Sequence, residues 1–115
     1  MLKQRIEILR NGGVIDNEVA EFVNRTIDMI ASEYPQIDAD RAAMFTTHLA
    51  MASQRIKTGE TVEMMDADMW QEITEAPEYP TAKDFAEKMF AMTKIEFPEC
   101  ERRFLMVHIC NVLAE

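Results

Sequence analysis

The chain has 115 residues, enough for one domain whose core needs no disulfide or metal staple. Twelve basic against twenty-one acidic residues give a net charge of -9, which disfavours nucleic acid and anionic membranes as partners. Hydrophobic residues make up 48% of the chain, there are only three Gly and four Pro, and no apolar run approaches the ~20 residues that span a bilayer, so an all-α protein is expected.

Leu2, Arg5, Ile6 and Leu9 mark a short first helix, which Gly12 and Gly13 stop because glycine readily takes the left-handed conformation after a helix end. Asp16 is placed to cap a second helix, in which Val19, Phe22, Val23, Ile27 and Ile30 repeat at spacings of three and four up to Tyr34 and Pro35. Asp38 caps a third, with Met44, Phe45, His48, Ala52, Arg55 and Ile56 along one side and Gly59 beyond its end. A shorter helix is expected at about 66–76, with Trp70 in the core, followed by a turn at 77–80. Thr81 and Asp84 form a variant capping box that opens a helix through Phe85, Met89, Phe90, Met92 and Ile95. Pro98 starts the last helix, whose apolar stripe is Phe104, Leu105, His108, Ile109, Val112 and Leu113.

Cys100 and Cys110 make no disulfide framework, and residues 1–10 lack the apolar stretch of a signal peptide, so a reduced, cytoplasmic protein is expected. Most of the ten methionines fall at helical spacing among aliphatic residues, as Met44, Met51, Met89 and Met92 do, which predicts core filling. Met64 and Met65, ahead of a helix start, stand apart from that pattern.

Function points to the two histidines, His48 and His108, each in mid-helix. Their unperturbed pKa leaves neutral imidazole available near pH 7, able to bind a metal, move a proton or accept a phosphoryl group. Seven residues are nearly two helical turns, so Arg55 shares a face with His48 and Glu101 with His108. Arg55 would favour neutral imidazole and help hold a phosphate, whereas Glu101 would raise the pKa of His108. The ordinary alternative is that both rings are packing residues, since His is commonly of intermediate burial. No metal site is expected: there is no Glu-x-x-His or His-x-x-x-His pair, and His108 and Cys110 are too close to share a helix face. With no phosphate loop, no Cys-x-x-Cys and no local base beside a nucleophile, neither an enzyme nor a cofactor protein is indicated.

Two stretches, TTHLAMASQR at 46–55 and FPECERRFLMVHI at 97–109, together resemble the paired signatures of the PTS regulation domain (PRD). His48 with Arg55, and Pro98 and Glu101 with His108, match that family's positions one by one, over about residues 17–115. The resemblance implies an antiparallel bundle of five core helices, preceded here by a short N-terminal helix and turn at 1–16. It also implies a homodimer and phospho-acceptor roles for His48 and His108, with Arg55 and Glu101 orienting the phosphate or the rings. The implied donors are the phosphocarrier HPr or a sugar-specific EIIB component of the phosphotransferase system. Family members are usually tandem domains fused to an RNA-binding, DNA-binding or transporter-like module, whereas a free-standing regulatory domain is expected here. Thr47 stands where many members carry Asp. The alternative within the family is a scaffolding protein that keeps the fold without taking phosphate.

Overall fold

The computed structural model describes residues 2–60 and 65–114 and consists of six helices: α1 Leu2–Asn11, α2 Asn17–Glu33, α3 Ala39–Lys57, α4 Ala67–Glu75, α5 Tyr79–Phe90 and α6 Glu99–Leu113. No strand occurs among the described residues, and none of their helices is long and apolar enough to cross a membrane.

Helix ends are set by local chemistry. Asp16 accepts from the Val19 N–H at 2.9 Å and Asp38 from the Arg41 N–H at 3.0 Å, each satisfying a donor that has no partner within its own helix. Gly13 and Gly59 have φ of 76° and 82° and close α1 and α3 in the same way. In both, the glycine N–H reaches the carbonyl three residues back (Arg10, Ile56) and the next N–H reaches the carbonyl five back (Leu9, Arg55). Asp16 also pairs with Lys57 at 2.6 Å, tying the start of α2 to the end of α3. Asp16→Ala is expected to cost about 1 to 2 kcal/mol, the usual loss of a helix cap, read as a lowered urea midpoint at unchanged slope.

The helices run antiparallel where ion pairs mark their register. Lys3 meets Asp28 across α1 and α2, Lys57 meets Asp16 and Glu18 across α3 and α2, and Arg55 meets Glu101 across α3 and α6. Between them Phe22, Phe45, Leu49, Phe85, Met89 and Ile109 are sealed from solvent. Phe85 sits at the junction, 5.8 Å from Phe45 and 5.3 Å from Tyr34 between ring centroids, while Phe97 links Phe22 to Phe90. Ile6 of α1 is fully buried in this same core.

The structure corrects four local expectations. α5 begins at Tyr79 and not at a Thr81 cap, because Pro80 lies in the first turn, where a missing N–H breaks no helical bond. It ends at Phe90, short of Met92 and Ile95: the Thr93 hydroxyl accepts from the Ile95 N–H, and Met92 O accepts from Arg25, holding a non-helical connection to α6. Trp70 is only partly buried, lying edge-on to Tyr79 beneath the Arg103 guanidinium, and α4 contributes no fully buried residue. Met29, Met65, Met89 and Met106 do fill the core, but Met44, Met51 and Met69 face solvent; Met64 lies outside the described residues.

Candidate functional site

The two histidines meet. α3 and α6 pack antiparallel, and the His48 and His108 rings stack with centroids 4.2 Å apart and planes 18° from parallel. Seven residues along α3 and seven back along α6, roughly 10 Å by helical rise, Arg55 meets Glu101. Seven residues the other way, Arg41 donates to the Ala114 and Asn111 carbonyls at 2.6 and 3.3 Å, caring for the C-terminal end of α6. The α3–α6 seam is thus a ladder of three polar rungs at matched spacing, with the imidazoles on the middle one.

Arg55 and Glu101 form a bidentate pair, Nε to Oε2 and Nη2 to Oε1, both at 2.9 Å. The Glu101 side chain is 2% exposed and that of Arg55 33%. The hydrogen bonds that the Arg55 guanidinium donates to Glu101 hold it above its already high ordinary pKa. Neither residue therefore acts on its own-helix histidine as the sequence suggested. Glu101 does not raise the pKa of His108, which is instead lowered, first by burial and then by facing His48, two cations being disfavoured in a stack. The equal spacing of seven on both helices was the signal in the sequence: on antiparallel helices it lets histidine meet histidine while arginine meets glutamate.

His48 is exposed and His108 half-buried. Among the described residues neither ring makes a side-chain hydrogen bond, and Asn24 Oδ1 is the only side-chain polar atom found both buried and unpartnered. The His108 ring is therefore not sealed in the interior, and His48 lies on the exposed side of the stack. Thr47, beside His48, donates to Ala43 O at 2.8 Å and accepts a longer contact, 3.4 Å, from Arg5 of α1. Where a carboxylate would have oriented an imidazole, this chain has a hydroxyl turned to its own backbone.

A lowered pKa keeps His108 neutral, with a lone pair free for nucleophilic attack, at pH values where an ordinary histidine begins to protonate. It also makes stability depend on pH. As pH falls below the ordinary value of 6.5, the unfolded chain takes up the proton before the folded one does. The contribution is whole above about 6.5 and is lost as pH falls through the lower folded value. Thermal melts between pH 7.5 and 5.5 are expected to show this decline, and His108→Gln to flatten it. An equal slope in that variant would refute the assignment.

No group of three or more His, Cys, Asp or Glu that could hold a metal occurs among the described residues. A groove of about 430 Å³ between α4, α5 and α6, lined by Trp70, Tyr79, Phe90 and Arg103, includes neither histidine.

A sequence model of the PRD domain family matches residues 21–112, a span that includes both histidines, Arg55 and Glu101 but not α1. An uncharacterized protein of Escherichia coli strain K12, YhfY, is 20% identical over 109 residues, covering 94% of this chain and 91% of its own. No solved structure matches.

Proposed function

The chain belongs to the PRD domain family, and on that premise we propose that it is a regulatory module which takes a phosphoryl group on His48 or His108 and acts through contact with another protein. The donor in this reading is a phosphotransferase-system protein, HPr or an EIIB component, and the module works in the cytoplasm as a homodimer. The family is a regulatory one, and the reading assigns no catalysis to this chain.

The observation that carries the proposal is the state of the imidazoles: stacked, without side-chain hydrogen bonds among the described residues, one exposed and the other half-buried with its pKa lowered by that burial. A packing pair would be expected to be buried and hydrogen-bonded. In transfer from a phosphohistidine donor such as phosphorylated HPr, the unprotonated nitrogen attacks phosphorus and the bond from phosphorus to the donor imidazole breaks with its electron pair. The leaving ring takes up a proton while the acceptor's other nitrogen releases one to solvent. Thus the donor's reactive phosphoimidazole supplies the driving force, and the acceptor needs only access and a lone pair.

Arg55 and Glu101 are positioning residues in this reading, because their pairing fixes the register that stacks the rings. Met44 and Met51, 54% and 42% exposed, lie one turn to either side of His48 and supply an apolar rim for a second copy or a donor. A phosphoryl group of roughly -1.5 to -2 charge placed between them would oppose burial of that rim and so bias the dimer.

Incubation with phosphoenolpyruvate, Enzyme I and HPr, with and without EIIB proteins, is expected to add acid-labile phosphate to the chain, seen by intact mass at alkaline pH. Absence of label under every donor would leave the scaffolding role in place of the acceptor role.

A further inference from the structure

We infer that His48 and His108 form one phosphoryl site and not two: either ring can take the group, and the ring left unmodified becomes the cation that balances it. This rests on the acceptor reading above but is separable from it by experiment.

The stack is the first argument. With centroids 4.2 Å apart, a phosphoryl on each ring would set two near-dianions about 6 Å from each other. Even in water and with salt screening, that repulsion disfavours the second addition by about tenfold or more. The second argument is the poverty of charge nearby. The residues one, three and four positions to either side of both histidines are all uncharged. Arg41 and the Arg55–Glu101 pair lie two turns away in opposite directions and are already engaged. Arg5 of α1 reaches Thr47, the residue beside His48, at 3.4 Å. The partner ring is already in contact and becomes a cation on taking up one proton.

The same geometry argues against a relay. Imidazole lone pairs lie in the ring plane, so planes 18° from parallel point them side by side, whereas in-line transfer requires them opposed across phosphorus. The rings therefore compete for one group and do not hand it across.

Potassium phosphoramidate, which phosphorylates accessible imidazole directly with loss of ammonia, tests this without any donor protein. The folded chain is expected to saturate at one phosphoryl group by intact mass, with the doubly modified form below about one-tenth of chains, and to take two in urea. His48→Gln and His108→Gln should each still accept one. In the singly phosphorylated wild type, the NMR titration midpoint of the remaining imidazole should rise by about one pH unit. Two groups on most folded chains, label on only one of the two variants, or an unmoved midpoint would each overturn the shared site while leaving the acceptor reading standing. A folded chain labelled on neither ring would remove both.

Discussion

Arg55→Leu is expected to destabilise the fold by about 3 kcal/mol, a loss of roughly 12 °C in Tm for a domain of this size. Glu101 is almost wholly buried and both its oxygens are taken by Arg55, so the substitution leaves an anion in the interior without a counter-charge. The pair's own net contribution is far smaller, since assembling it first required both ions to leave water. Arg55→Leu with Glu101→Leu should therefore recover most of the loss. Urea unfolding of wild type, both single variants and the double variant separates the two quantities. If Arg55→Leu lay within about 1 kcal/mol of wild type, the buried pair would not be what holds α3 in register on α6.

The second large effect falls on chemistry and leaves the fold intact. His48→Gln with His108→Gln is expected to stay folded, because one ring is exposed and the other half-buried, yet to lose phosphate labelling to background. The Arg55→Leu, Glu101→Leu double variant should stay folded and still take phosphate, since neither residue touches it, but label several-fold more slowly than wild type, because the pair that sets the register of the two rings is gone. Circular dichroism alongside the labelling series keeps fold and chemistry apart. Full labelling of the double histidine variant would move the site elsewhere on the chain.

Much of the fold is legible in the sequence because it is written in local terms. Asp16 and Asp38 cap the helices they precede, Gly13 and Gly59 close α1 and α3, and the spacing of three and four marks the buried stripes of α2 and α3. Periodicity carries no information on where α5 stops: Met92 and Ile95 continue its rhythm, but the Thr93 hydroxyl offers the backbone a competing bond. Nor does it say which residues at a stripe's edge are covered. Met44 and Met51 share helical spacing with buried neighbours, yet only the docking of α1 and α6 decides that they face water.

The candidate site divides along the same line. The four residues His48, Arg55, Glu101 and His108 are visible as two in-helix pairs, and the PRD resemblance singles them out. Their true pairing crosses from helix to helix and depends on antiparallel register, a tertiary property that no single helix encodes. That register reverses one electrostatic expectation. The carboxylate expected to make His108 more basic is spent on Arg55, and burial beside His48 makes it less so.

The most direct test of the central claim is ³¹P NMR of the folded protein after exposure to phosphorylated HPr and EIIB components. The account predicts a phosphoimidazole resonance that disappears on brief acidification and is absent from the double histidine variant. No phosphorus resonance on the protein, or one that survives acid as a phosphoester does, would contradict it.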